Sequence, residues 1–203
     1  MPYLWLLIGC LGLIFSIFGL YNPNLQQFDQ NAVTWMSQHR ISGLNELAVF
    51  SSHIGGLPGV LLICVFWCLK QYKSKKNAYI ILIFLGLIGG SAIGWLLKFW
   101  FNRPRPEQVY QMVETYGASF PSAHSIYAAI LSCLVMLIYH KHAQAKIIIF
   151  SACIWFIFMG ICRVYLAAHY PTDVLAGWSI AFIWIALLWL AFKQFNKGNK
   201  NYF

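Results

Sequence analysis

Residues 162–173 read CRVYLAAHYPTD, and the setting of that stretch decides the fold. It joins two long apolar runs, yet it holds Arg163, His169 and Asp173. Charge at the edge of a lipid-soluble segment is expensive, so such groups are usually paired or functional. Taken alone, the stretch also reads as an interfacial anchor, with Arg163 snorkelling and Tyr165 and Tyr170 in an aromatic belt. Two further stretches argue for more: residues 98–106 read KFWFNRPRP and residues 120–125 read FPSAHS. Together the three supply cations, a hydroxyl, two histidines and a carboxylate. That is the set that moving a phosphoryl group without a metal requires.

The surrounding composition makes the bilayer the natural solvent. Of 203 residues, 60% are hydrophobic and only 9% are charged, against about 25% charged in ordinary soluble domains. A soluble chain this apolar would expose large aggregating patches. The net charge of +9 does not point to nucleic acid, because its distribution along the chain is that of a membrane protein. Cys10, Cys64, Cys68, Cys133, Cys153 and Cys162 all lie inside apolar runs. Only Cys64 and Cys68 are spaced like ligands, with no His or carboxylate nearby, so they read as small buried hydrophobes.

Six apolar segments follow from the hydropathy, at about 4–20, 47–69, 79–97, 121–139, 147–166 and 174–192, each near the roughly 20 residues a crossing needs. The fourth reaches that length only by including 121–124. The first has no basic leader and no Ala-x-Ala-like site before Tyr21, so it reads as a transmembrane helix rather than a signal peptide. Lys70, Lys73, Lys75, Lys76, Lys141, Lys146, Lys193, Lys197 and Lys200 fall on one side, which the positive-inside rule makes cytoplasmic. Every acidic residue falls on the other side, with Arg40, Lys98, Arg103, Arg105 and Arg163. The expectation is an all-α bundle of six transmembrane helices, one domain over 1–203. Both termini are cytoplasmic, and the three polar stretches share the outer face.

Residues 21–46 form the longest loop, in which Trp35 and Met36 suggest a short interfacial helix; its role is open between a substrate-facing cover and a simple connector. Gly86, Gly90 and Gly94 form a small-residue stripe that lets helices approach closely. Its partner is either another helix of the chain or a second subunit, so a homodimer through this face is one expectation.

The polar stretches each have a chemical reading. Pro104 and Pro106 break the helix and fix extended backbone around Arg105, whose guanidinium suits a bidentate grip on phosphate, with Lys98 as a point charge. Arg103 is a further candidate for that clamp. Pro121 suits the first turn of a helix, where free N–H groups and the Ser122 hydroxyl make an anion site, with His124 at its edge. Arg163 is a third cation, His169 a candidate nucleophile and Asp173 the carboxylate that orients it. Pro171 starts the last helix, so Asp173 also suits its first turn as a simple helix-start residue. The outer face holds scattered carboxylates rather than the cluster that Mg²⁺ asks for, so no metal and no cofactor is expected.

The pattern Lys98-x6-Arg105-Pro106, Pro121-Ser122-x-His124 and Arg163-x5-His169-x3-Asp173 resembles the type 2 phosphatidic acid phosphatase (PAP2) superfamily. Ala123 stands where PSGH usually has Gly, and Cys162 where Ser usually precedes the Arg. The resemblance implies a metal-independent membrane lipid phosphatase working through a phosphohistidine, sited in the bacterial inner membrane and facing the periplasm or exterior. In it His169 is the nucleophile, Asp173 its orienting partner and His124 the acid, while Lys98, Arg105, Ser122 and Arg163 bind phosphate. It also implies a lipid phosphate substrate: phosphatidylglycerol phosphate, phosphatidic acid, undecaprenyl diphosphate, or lipid A through a phosphatase or phosphotransferase. The rival classes are a transporter with charges along its pathway and a non-catalytic lipid-binding relative. Charges gathered at helix ends on one face argue against the first, and the intact His169, His124 and Asp173 against the second.

Overall fold

The computed structural model describes residues 1–196; Lys197 and Lys200 of the basic tail lie outside the described residues. The described chain is helical throughout: α1 (Pro2–Tyr21), α2 (Pro23–Gln38), α3 (Ser42–Gly55), α4 (Leu57–Lys73), α5 (Asn77–Phe101), α6 (Ala123–Tyr139), α7 (Ala145–Tyr165) and α8 (Pro171–Asn196). The only other element is a 3₁₀ turn at Gln108–Tyr110. Each of the six apolar segments falls on this framework. By length and composition α1, α5, α7 and α8 can each cross a bilayer, and the bent pair α3 and α4 is apolar enough to be either a broken fifth span or a re-entrant loop. Large apolar side chains such as Phe66, Phe84, Trp95 and Phe150 point outwards, as a lipid-facing surface requires.

Two of the expected spans differ in form. The segment 47–69 is a pair of helices bent by 58° rather than one. Gly56 is extended (φ −71°, ψ 166°), and Pro58 offers no N–H to the Ile54 carbonyl and would clash with it in a straight helix. Even a Cβ at Gly59 would come within 2.2 Å of the Ile54 oxygen. The fourth segment makes only the 17-residue α6, which starts at Ala123, so Pro121 lies outside the helix rather than in its first turn. Ser122 is the N-cap instead. Its N–H donates to the Asp173 carbonyl at 3.0 Å, pinning the chain to α8 before it turns. α6 is the central helix, buried on nearly every face.

The loop expected at 21–46 is largely helix. Asn22 Oδ1 accepts from the N–H groups of Asn24 and Leu25 at 3.0 and 3.2 Å, and Pro23 starts α2 without wasting a donor. The helix buries Asp29 and Val33. It is a structural part of the bundle, not a free connector.

Between helices in lipid, close packing replaces the hydrophobic drive. A Cβ at Gly90 would meet Ile130 at 2.2 Å, one at Gly94 would meet Ile126 at 2.5 Å, and one at Gly86 would meet Ile185 at 3.0 Å. The small-residue stripe is therefore filled by α6 and α8 of the same chain. The homodimer expected through it is corrected, because no open face remains there. α1 runs antiparallel to α8, with Gly9 against Ile183 and Gly19 against Thr172. Lys70, Lys73, Lys75, Lys76, Lys141, Lys146 and Lys193 lie at one end of the helices, and the polar stretches at the other.

Candidate active site

Three helix ends and two turns build the site. α5 stops at Asn102, which takes the left-handed conformation (φ 40°) that an Asn side chain tolerates. The chain then loops back, with the Ser119 N–H donating to the Arg103 carbonyl at 2.8 Å. α7 stops just past Arg163, whose carbonyl accepts from the N–H groups of Ala168 and His169 at 3.1 and 3.2 Å. That tight turn, with Ala167 at φ 53°, folds His169 beneath Arg163. Pro171 then opens α8.

Asp173 is fully buried and almost saturated. Oδ1 accepts from Arg103 Nη1 at 2.6 Å; Oδ2 accepts from the Tyr170 N–H at 2.9 Å and from the Ser119 hydroxyl. Arg103 also donates to Asp29 Oδ2 at 2.7 Å and Thr172 Oγ1 at 2.8 Å, with Tyr170 stacked on its guanidinium at 4.3 Å. Asp29 in turn accepts from the Thr172 N–H at 3.1 Å. Burial works against the charge of Arg103, but Asp173 and Asp29 outweigh it and raise its pKa. Arg103 is thus a tie between α2 and α8. It is not a member of a phosphate clamp, because both carboxylates occupy its donors.

His169 Nδ1 lies 3.6 Å from Asp173 Oδ2, longer than a hydrogen bond, and has no hydrogen-bond partner. Its other nitrogen, Nε2, lies 3.4 Å from Arg105 Nη1. A guanidinium has only donors, so Nε2 faces it as the acceptor and the ring hydrogen belongs on Nδ1, towards Asp173. Burial keeps the imidazole neutral, its pKa well below the usual histidine value despite the pull of Asp173. The lone pair at Nε2 is unprotonated and meets only the long contact with Arg105.

Three further cations surround it. Arg105 donates to the carbonyls of Tyr116, Gly117 and Ala168 at 2.8, 2.9 and 2.7 Å. Burial lowers its pKa and Asp173 opposes that. Lys98 Nζ donates to the Ala118 carbonyl at 2.6 Å. Arg163, almost fully buried, donates to the Ser52 hydroxyl and leaves its Nε without a partner. Among the described residues none of these three has a carboxylate within ion-pair distance.

His124, in the first turn of α6, has its Nε2 3.1 Å from the Ser52 carbonyl. Arg105 and Arg163 act electrostatically on both His124 and His169, so the second and third polar stretches converge. Ser122 is fully buried and its hydroxyl accepts from Ser125 Oγ at 2.9 Å, so it caps the helix rather than standing open. A cavity of about 390 Å³ runs from Lys98 between α5 and α6, walled by Leu57, Trp95, Ala123, Ile126 and Tyr127. Cys162 packs against Ala48 and Leu166 in an apolar cluster. Among the described residues no three His, Cys, Asp or Glu side chains gather as a metal site.

The sequence reading passed over Asp29, Ser52 and Ser119. Only Asp29 left a signal: with Val33 and Met36 it forms one helical stripe, an acid on an otherwise apolar face.

Comparison with known proteins gives the family and the fold. Phosphatidylglycerophosphatase B of Bacillus subtilis is 29% identical over 164 residues, covering 78% of each chain. Undecaprenyl-diphosphatase BcrC of the same organism is 27% identical over 169 residues, covering 80% of this chain and 81% of that one. The crystal structure of a transmembrane PAP2 type phosphatidylglycerolphosphate phosphatase from Bacillus subtilis superposes with a TM-score of 0.83 at 25% identity, over 96% of this chain and 98% of that one. The sequence profile of the PAP2 superfamily matches residues 78–197, the part that carries all three polar stretches, and the chain belongs to that superfamily as a multi-pass membrane phosphatase.

Proposed function

We propose that the chain hydrolyses a lipid phosphate, either a phosphomonoester or a diphosphate, through a phosphohistidine on His169. The observation that carries this reading is the uneven counter-charge. Both buried carboxylates of the site serve Arg103, so Lys98, Arg105 and Arg163 have none. Three cations without carboxylates, one with an orphaned buried N–H, suit a multiply charged anion.

In the first step His169 Nε2 attacks phosphorus, and the bond from phosphorus to the lipid oxygen breaks. His124 gives that oxygen a proton. The imidazole needs no deprotonation first, because burial already holds it neutral. Asp173 steadies the positive charge that develops on the ring, with Nδ1–H pointing at Oδ2. In the second step water attacks phosphorus, the N–P bond breaks, His124 takes the proton from water and inorganic phosphate leaves. Lys98, Arg105 and Arg163 neutralise the phosphoryl oxygens throughout, with Ser122 and the first N–H groups of α6 bordering them.

The apolar walls of the cavity at Lys98 favour a phosphate carried on lipid over a soluble ester. Phosphatidylglycerol phosphate and undecaprenyl diphosphate lead the substrate list, since the relatives named for them match this chain over most of both lengths. The lysines at the far end of the helices support an outward-facing site in a bacterial inner membrane, with 1–203 acting as one unit.

The test is phosphate release by the purified protein in EDTA, offered phosphatidylglycerol phosphate, phosphatidic acid, undecaprenyl diphosphate and lipid A. Release from one lipid, abolished in His169→Ala, is expected. Release that survives His169→Ala would remove the nucleophile assignment, and silence on every lipid would remove the hydrolase reading.

A further inference from the structure

The bend between α3 and α4 takes no part in the reaction as described, yet Ser52 touches two of its side chains. Its carbonyl oxygen lies 3.1 Å from His124 Nε2, and its hydroxyl accepts from Arg163 Nη1. These contacts join elements 72 and 111 residues apart. In a continuous helix the Ser52 carbonyl would accept the N–H four residues on, that of Gly56. Gly56 is extended; Pro58 enforces the break, and Gly59, having no Cβ, permits the close approach to Ile54 that the bend requires. The Ser52 carbonyl is thereby released to a side chain, as carbonyls at helix ends are.

A carbonyl only accepts, so the hydrogen in this contact belongs to His124 Nε2. The one side-chain hydrogen bond that His124 makes among the described residues is through Nε2, which leaves Nδ1 without a protein partner there. We propose that Ser52 is a positioning residue: its carbonyl commits the Nε2–H of His124 and its hydroxyl fixes Arg163, so that His124 exchanges protons with the substrate through Nδ1. The inference rests on the phosphatase reading of His124 and Arg163. Its proton balance closes within that reading. With the anionic phosphate bound against the surrounding cations, the ring takes up a second proton at Nδ1; that Nδ1–H goes to the leaving lipid oxygen, and Nδ1 recovers a proton from the water that cleaves the N–P bond. Nε2–H stays on the Ser52 carbonyl through both steps. The bend is therefore part of the site rather than an accident of packing.

The two arms of Ser52 are separable. Ser52→Ala keeps the carbonyl and removes the hydroxyl, so Arg163 loses its anchor while His124 keeps its own. The expected result is a rise in KM of about tenfold, typical of a lost hydrogen bond to a charged group, with kcat and its pH profile little changed and Ser52→Thr restoring KM. An unchanged KM in Ser52→Ala, or a Thr variant as impaired as Ala, would overturn the hydroxyl arm. The carbonyl arm is read without a substitution in Ser52, from ring ¹⁵N shifts of histidine-labelled protein in micelles, with His124 assigned by its loss in His124→Gln. The expected spectrum has Nε2 protonated at neutral pH, with Nδ1 the nitrogen that titrates and that responds to added inorganic phosphate. An Nδ1–H tautomer would overturn it. If the wild type released no phosphate from any lipid, the catalytic reading would fall while the tautomer measurement still decided the geometry.

Discussion

Arg103 holds Asp173 through a bond of 2.6 Å between Nη1 and Oδ1, and with its other terminal nitrogen it reaches Asp29 on α2 at 2.7 Å. The orientation of Asp173 is thus set from a helix outside the three polar stretches. Asp29 is fully buried, and removing it leaves Arg103 with Asp173 alone and the buried Thr172 N–H without its acceptor, at a cost of about 1–3 kcal/mol. Asp29→Ala is expected to lose stability on that scale and to lower kcat more than it raises KM, because it loosens Asp173 rather than the phosphate clamp. Denaturation in mild detergent and steady-state kinetics check both. A variant of normal stability and kcat would show that α2 does not position Asp173.

His169 makes stability depend on pH in a definable direction. In an unfolded chain an imidazole takes up its proton near pH 6.5, whereas burial lowers the folded value well below that. Between the two values the unfolded state binds more protons, so stability is lost as pH falls through about 6.5 and onward to the folded pKa. The loss is up to about 1.4 kcal/mol for each pH unit. Thermal unfolding at pH 7.5 and 5.5 checks this: the wild type should lose more than His169→Gln over the interval. Equal losses would mean that the ring is charged in the fold.

Arg105→Lys tests geometry at constant charge. Arg105 spreads its donors over the carbonyls of Tyr116, Gly117 and Ala168 and reaches Nε2 of His169. An ammonium cannot span that fan. The expected loss in kcat/KM is about 10²–10³, the scale for removing a preorganised donor from a charged transition state, with the fold retained. Activity near that of the wild type would show that charge alone suffices at this position.

What the sequence makes legible here is local. The runs under α1, α5, α7 and α8 are long and uninterrupted, so hydropathy alone marks them, and the spacing from Lys98 to Arg105 and from Arg163 to Asp173 sits within single turns of chain. The bend at Gly56 is hidden because residues 47–69 are apolar enough to read as one span, even though Pro58 stands inside them. Arg103 reads as a clamp residue for the same reason: its charge is local, while its partner Asp29 is 74 residues away. The contact of Ser52 with His124 spans 72 residues. Likewise the stripe of Gly86, Gly90 and Gly94 announces a close helix contact but not which helix makes it.

The seating of α8 on the start of α6 gives a final prediction. A Cβ on Gly177 would come within 2.7 Å of the Ser122 carbonyl and 2.8 Å of the Ser125 Cβ. The first of these is backbone at a helix cap and cannot swing aside, so Gly177→Ala must push α6 away from α8. Overpacking of this kind costs about 1–3 kcal/mol, and here it also moves His124 relative to His169 and Asp173. Gly43→Ala is the matched control, because a Cβ there meets nothing within 4 Å; it should be neutral or stabilising by up to about 1 kcal/mol. Unfolding midpoints and kcat measured side by side decide the matter. If Gly177→Ala behaves like Gly43→Ala in both, the helix contact does not hold the two histidines in register.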